Sequence, residues 1–292
     1  MPGPGNLVLE GSARLELGPH PDRARRDAET LLLHVLQKSK SWLMAHGEEP
    51  LSAVEAARYA ELLERRFHGE PIQYITGETE FYALPFRVTP DVLIPRPETE
   101  QLVEKVIEWA ARFATRKTAP GIPPLRILDV GTGSGAIAVA VAHHLPQAEV
   151  TAIDLSAAAL AVAQGNAEAN KVAGRIRFLE GDLLAPVAGE SFDVVVSNPP
   201  YVPLADRDSL SVEVRDYEPA LALFAGEDGI DVYRRLIPAA SSALASGGLL
   251  ALELGYGQDQ AVAALLENAG FHPIELLPDL QGIPRIACAW RR

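Results

Sequence analysis

Asn198-Pro199-Pro200-Tyr201 follows Phe192-Asp193-Val194-Val195-Val196-Ser197, a short β-branched run that reads as a buried parallel strand. Two consecutive prolines lack the backbone donors that a ladder needs, so the strand stops there. The tetrapeptide then presents a side-chain amide, fixed carbonyls and an aromatic ring at a strand end, where open α/β sheets bind ligands. Such a set can hold a planar nitrogen. Asn198 Oδ1 and the Pro199 carbonyl can each accept one of its hydrogens, and Tyr201 can form a wall against its flat face. A proline-terminated strand with a turn asparagine is the plainer alternative.

A second set lies upstream. Asp129-Val130-Gly131-Thr132-Gly133-Ser134-Gly135 sits between a strand, Leu125 to Val130, and a helix, Ala136 to Leu145. Glycines there permit a tight turn and a close backbone approach to a ligand. With Ala136 the run also fits a dinucleotide fingerprint, and a loop without a ligand is the alternative. Asp154 ends the next strand, 23 residues beyond Gly131. A carboxylate there can accept hydrogen bonds from both ribose hydroxyls, or it can cap the helix that begins near Ser156. Asp182 ends the third strand, where it can meet an adenine amino group or serve only as a turn residue after Gly181.

A nicotinamide cofactor and S-adenosyl-L-methionine would both suit these features. The two readings part at the fourth strand. Hydride transfer calls for a positioned acid or cation, and nothing near Asn198 supplies one. Methyl transfer calls for a nucleophile aligned behind a sulfonium methyl group. An amide nitrogen is a poor nucleophile because its lone pair is delocalised into the carbonyl. Two fixed acceptors would orient it and favour the tetrahedral geometry in which that lone pair faces the methyl carbon. A freshly methylated nitrogen is acidic, so no strong general base is needed.

The elements that must position these groups divide the chain in three. Residues 1–75 read as a helical domain, with an apolar run from Ala28 to Gln37 and capping-box spacing at Ser52-Ala53-Val54-Glu55 before a helix to about Phe67. Residues 76–97 read as a connector with a hairpin. Residues 98–292 read as alternating helices and strands, hence a mostly parallel sheet covered on both faces, closed by an antiparallel hairpin. The helix after Pro97 places Leu102, Val103, Val106, Ile107, Ala110 and Phe113 at three- and four-residue intervals. A polar, proline-rich loop is expected from Thr115 to Pro124.

Composition excludes some classes. Apolar content of 48% and charged content of 22% are those of a globular protein, and no run approaches the ~18 apolar residues of a membrane span. Cys288 is the only cysteine, so intrachain disulfides and cysteine-rich metal sites are excluded and no metal is expected. The first residues lack the basic start and apolar stretch of a signal peptide, so a cytoplasmic location is expected. The 26 basic against 39 acidic residues give a net charge of −13, which argues against an enzyme of duplex DNA.

Asp129 to Gly135, Asp154 and Asn198 to Tyr201 resemble the motifs of class I methyltransferases that modify nitrogen. Pro71 to Gly77, Phe81 to Phe86, Ile94-Pro95-Arg96-Pro97-Glu98-Thr99-Glu100, Glu218 to Leu223 with Gly226 to Gly229, and Gly282-Ile283-Pro284-Arg285 resemble the HemK/PrmC family. The resemblance spans nearly the whole chain. It implies a Rossmann-like α/β methyltransferase sheet with a small all-helical N-terminal domain. The implied reaction moves methyl from S-adenosyl-L-methionine to N5 of the glutamine in the Gly-Gly-Gln motif of peptide-chain release factors, with the helical domain docking the factor.

The resemblance also implies residue roles. Gly131, Thr132, Gly133, Ser134, Gly135, Asp154, Asp182, Leu183 and Asn198 would bind the cofactor. Asn198, Pro199, Pro200 and Tyr201 would hold the substrate, with Asn198, Pro199 and Tyr201 catalytic. Leu183 falls where the family packs a residue, often aromatic, by the adenine. Arg96, Glu98 and Glu100 would border the pocket, where either Glu98 or Glu100 meets the cofactor's amino group or the loop end is salt-bridged. A monomer without membrane or DNA contacts is expected. The alternatives are a glutamine N5-methyltransferase of a ribosomal protein and an adenine-N6 DNA methyltransferase, which can share the same tetrapeptide.

Overall fold

The computed structural model describes residues 3–116 and 124–292; of the loop expected over Thr115 to Pro124, residues 117–123 lie outside the described residues. The chain divides into two compact units, one of Met1–Glu78 with Leu210–Tyr217 and one of Thr79–Ser209 with Glu218–Arg292.

The first unit is helical, with helices Pro4–Leu15, Ala24–Leu36, Lys40–Ala45, Ala53–Phe67 and Ile72–Thr76. Leu7, Leu15, Leu31, Leu32 and Leu62 form its core. The Tyr59 ring is buried among them, and its hydroxyl donates to the carbonyls of Leu7 (3.3 Å) and Ala28 (3.2 Å), so one phenol links three helices. Ser52 and Glu55 form the capping box their spacing predicts: Ser52 Oγ accepts from the Glu55 N–H and the Glu55 carboxylate from the Ser52 N–H.

Two boundaries differ from expectation. Ile72–Thr76 is a single helical turn between Pro71 and Gly77, whose φ of 80° ends it. Residues 210–217, expected within the sheet domain of 98–292, belong to the helical unit. The cause is a buried charge. Arg66, 2% exposed, pairs with Asp27 at 2.7 Å and also with Glu213 at 2.6 Å, on the helix Val212–Tyr217. The Tyr217 hydroxyl adds a bond to the His68 carbonyl at 3.2 Å.

The second unit begins with a two-stranded sheet, β1 (Glu78–Phe81) and β2 (Leu84–Arg87), in the segment where a hairpin was expected. Its main sheet contains β3 (Leu125–Val130), β4 (Ala148–Asp154), β5 (Ile176–Glu180), β6 (Phe192–Ser197), β7 (Leu244–Glu253), β8 (Phe271–Pro278) and β9 (Pro284–Arg291). The strand order is β5-β4-β3-β6-β7-β9-β8. The first five strands of that order run parallel, and β9 lies antiparallel between β7 and β8. The closing hairpin therefore inserts its second strand next to β7.

Both faces are covered, which is why β6 is almost continuously apolar. Val194 and Val196 pack on one face with Leu102, Val103, Val106 and the fully buried Ala136 to Ala142 run. Val195 packs on the other with Tyr233, Leu236, Ile237, Val262 and Leu266. Helices after β3 and β6 thus lie on opposite faces, making the β3/β6 pair the point where the winding reverses. No described helix is long and apolar enough to cross a membrane.

The capping box yields a local test of the helical unit. Ser52→Ala should reduce the stability of the Ala53–Phe67 helix by about 1 kcal/mol, read as faster amide hydrogen exchange in that helix.

Candidate active site

A cleft of about 280 Å³ opens at the carboxyl ends of β3, β4, β5 and β6. Gly131, Thr132, Gly133, Ser134, Asp154, Asp182, Leu183, Asn198 and Pro200 all line it. Gly135, Pro199 and Tyr201 do not.

The glycine turn is held by its neighbours. The N–H groups of Gly131 and Thr132 both donate to the Ile153 carbonyl, at 2.8 and 3.0 Å, folding the turn over β4. Gly133 has φ 55° and presents its N–H to Asp154 Oδ2 at 2.8 Å. Gly135, φ 80°, opens the helix Ala136–His144, and a Cβ there would come within 3.0 Å of Ala163 Cβ. Its role is close packing.

Asp154 does not cap the following helix. Ser156 does so, its Oγ accepting from the Ala159 N–H at 3.2 Å. Asp154 Oδ1 takes the Ser156 N–H at 2.9 Å and Oδ2 the Gly133 N–H. Each oxygen keeps a lone pair, so this fixed carboxylate at the cleft wall suits a vicinal diol. Asp182 is ion-paired with Arg235, and both line the cleft mouth. An adenine amino group would share that carboxylate with a guanidinium. Leu183, φ 50°, offers apolar cover there.

Beneath the turn lies Asp129, a residue that sequence reasoning treated only as part of the motif. It is fully buried; Oδ2 accepts from Thr132 Oγ1 (2.6 Å) and the Ala138 N–H (3.2 Å), and Oδ1 has no hydrogen-bond partner among the described residues. Burial pushes its carboxyl up to about 7, against the pull of those two donors and with a further push from Asp154. Asp129 does not itself line the cleft; the Asp154 carboxylate on the cleft wall, whose oxygens keep lone pairs beside the bonds from Gly133 and Ser156, suits a cofactor that is a cation as well as a nucleoside. S-adenosyl-L-methionine, with its sulfonium and ammonium groups, fits.

At the fourth strand, Asn198 is half-buried and its Nδ2 donates to Thr99 Oγ1 at 3.1 Å. Thr99, buried at the start of the helix Pro97–Arg116, donates to Glu253 Oε2 at 2.6 Å. Tyr201 differs from the expected wall of the cleft. Its ring packs with the cluster of Leu128, Val195 and Tyr233, and its hydroxyl donates to Glu253 Oε1 at 3.3 Å. A partly buried phenol still calls for an acceptor, and Glu253 supplies it. Burial, and then the Glu253 charge, raise the Tyr201 pKa well above the ordinary phenol range. Gln258 fixes the backbone beyond, donating to the Tyr201 carbonyl at 2.8 Å.

The Arg96–Glu100 loop resolves into separate contacts. Arg96 pairs with the buried Glu218 at 2.6 Å. Glu100 accepts the Tyr82 N–H at 2.8 Å and so holds the β1–β2 turn, where Tyr82 and Ala83 both have positive φ. Thr99, between them in the first turn of the helix, accepts from Asn198.

Asp129 carries a prediction about pH. Between the ordinary carboxylate range and about pH 7 the folded chain holds a proton there that the unfolded chain gives up, so its contribution to stability falls as pH rises through that window. Asp129→Asn should flatten the dependence of Tm on pH between about 5 and 8 in calorimetry of the cofactor-free protein. An unchanged profile would mean that the carboxyl is already ionised.

Comparison with known proteins agrees with this architecture. The family model described as "PrmC N-terminal domain" matches residues 7–77 and the one described as "Methyltransferase small domain" matches residues 117–213. The chain is similar to the release factor glutamine methyltransferase of Moorella thermoacetica, 46% identical over 272 residues and 93% of each chain. It is also similar to those of Bordetella pertussis, 44% identical over 91% of this chain and 95% of that one, and Salmonella typhimurium, 42% over 91% and 92%. Among solved structures, the hMettl16 catalytic domain in complex with an MAT2A 3'UTR hairpin superposes with TM-score 0.55 at 16% identity, covering 91% of both chains. The Thermus thermophilus 16S rRNA N2 G1207 methyltransferase, in complex with AdoMet and guanosine, gives 0.51 at 22% identity, covering 74% of this chain and 50% of that one. These two share the fold, a class I methyltransferase sheet. The curated relatives share the sequence along nearly its whole length, and on that ground the chain belongs to the release factor glutamine methyltransferase family.

Proposed function

We propose that this protein transfers methyl from S-adenosyl-L-methionine to the N5 nitrogen of the glutamine in the Gly-Gly-Gln motif of peptide-chain release factors. The observation that carries the reading is the position of the Asn198 amide. It stands at the end of β6, in the same cleft as Asp154 and the glycine turn. When bound, the cofactor supplies an electrophilic methyl group. Asp154 would accept from its ribose hydroxyls, the turn from Gly131 to Ser134 would lie along it, and Asp182 and Leu183 would border its adenine.

Asn198 Oδ1 on the cleft wall, with the carbonyl of the adjoining Pro199, which does not itself line the cleft, would accept the two N–H bonds of the substrate amide, fix its plane and meet the positive charge that develops on nitrogen. The surplus proton then passes to water. Pro200 lines the cleft beside the amide. Tyr201 contributes from behind Asn198 by holding the loop through Glu253. The proposed enzyme is a cytoplasmic monomer that binds no DNA, in keeping with its net charge of −13.

One incubation tests the substrate class. Labelled S-adenosyl-L-methionine is supplied with release factor, ribosomal protein or DNA in separate tubes, and label should enter the release factor at its Gly-Gly-Gln glutamine. Label in DNA alone would overturn the reading. Asn198→Ala should lower kcat by about 10²- to 10³-fold, the cost of one positioned hydrogen-bond partner, with cofactor affinity nearly intact by calorimetric titration. Equal loss of both would make Asn198 a cofactor ligand.

A further inference from the structure

A side-chain amide can face a substrate with either end. To bind a substrate NH2, Asn198 must offer Oδ1, and nothing in its own covalent structure requires that. The cause lies two residues behind it. We propose that Glu253, which touches no reacting group, sets the direction in which the Asn198 amide faces. Its carboxylate makes Thr99 a donor, Thr99 can then only accept from Asn198, and the Asn198 oxygen is left for the substrate. The proposal rests on the glutamine-methylating function above and deepens it.

The argument is one of donor counting. An ionised carboxylate has no hydrogen to give, so the 2.6 Å contact between Thr99 Oγ1 and Glu253 Oε2 takes the single Thr99 hydroxyl hydrogen. The 3.1 Å contact from Thr99 Oγ1 to Asn198 must then be filled from the Asn198 side, and only Nδ2 can fill it. The other Glu253 oxygen takes the Tyr201 hydroxyl at 3.3 Å, and the Glu253 carbonyl takes the Tyr233 hydroxyl at 2.6 Å. Both ends of the residue are thus held, at the last position of β7, which pairs directly with β6.

Protonation of Glu253 removes the constraint. A neutral carboxyl can donate to Thr99 Oγ1; the Thr99 hydrogen then turns to Asn198, which answers with Oδ1. That leaves Nδ2 facing the substrate NH2, a donor against a donor. The charged and titratable groups that face Glu253 are Glu98 on the helix Pro97–Arg116, Arg285 on β9, Tyr201 after β6 and Tyr233 on the helix Asp231–Ala243. Burial pushes the Glu253 carboxyl up to about 7; donation from Thr99 and Tyr201 opposes this, Glu98 adds to it and Arg285 reduces it. As pH falls through that value the ordered amide is lost, so kcat should fall with it while cofactor affinity stays level.

Glu253→Gln keeps the shape but can either donate to Thr99 or accept from it. It should lower kcat by about 10- to 100-fold, the usual cost of losing a group that orients an active-site residue, and should remove the acidic limb of the kcat profile. Thr99→Val should do the same, and Thr99→Ser, which keeps the hydroxyl, should restore most of the rate. Cofactor affinity and Tm, measured on each variant, separate positioning from folding. Loss of kcat with both preserved supports the proposal. Wild-type kcat and pH profile in Glu253→Gln, or losses that track Tm with no rescue by Thr99→Ser, would overturn it. Wild-type protein run alongside keeps the two readings apart. A wild type that modifies no glutamine defeats the function itself, whereas an active wild type with indifferent variants defeats only the role of Glu253.

Discussion

The gap that opens between β3 and β6 is the constraint on which the site depends. The two strands pair in parallel, yet their following helices go to opposite faces, so the backbone groups at their ends lose the partners a ladder would supply. Each loss is made good locally. The Val130 carbonyl takes the buried Ser197 hydroxyl at 2.6 Å, and the next two N–H groups turn to the Ile153 carbonyl. On the other side of the gap stand Pro199 and Pro200, which have no N–H to satisfy. A crevice with settled backbone chemistry results, leaving side chains and carbonyls free for a ligand.

Two buried carboxyls flank this arrangement in the sheet, Asp129 on β3 and Glu253 on β7. Burial raises both to about 7, so neither is a cheap source of stability. Asp129 ties the turn to its helix through Thr132 and Ala138, and Glu253 ties the helix after Pro97 to the loop after β6 through Thr99 and Tyr201. Costly groups retained where they order flexible segments are a pattern of functional sites.

Much of this was legible in the sequence, and the part that was not has a physical reason. The glycine turn, Asp154 and Asn198-Pro199-Pro200-Tyr201 each act through their own few residues, so spacing alone reveals them. The Ser52 capping box is local in the same way. Thr99 and Glu253 meet across 154 positions of chain, and no local pattern encodes such a pair. A trace exists: one glutamate interrupts the otherwise apolar Leu249 to Leu254 run, where a lone charge in a buried strand calls for a partner. The motif alone makes Tyr201 an aromatic wall, but its hydroxyl seeks the Glu253 carboxylate and so decides where the ring goes. The placement of residues 210–217 was hidden because its cause, the second carboxylate on Arg66, lies far away in sequence.

That short segment has a consequence for how the protein can be dissected. The helical unit is not a continuous piece of chain, since its Glu213 arrives only after β6 has been made. A fragment cut at residue 78 would keep the Arg66 guanidinium in its buried place but with one of its two carboxylates missing, and would bare the surface on which Val212 and Tyr217 lie. The module boundary drawn from the family match at residue 77 and the boundary drawn by physics are therefore different. During synthesis the helical unit must wait for more than a hundred further residues before it is complete.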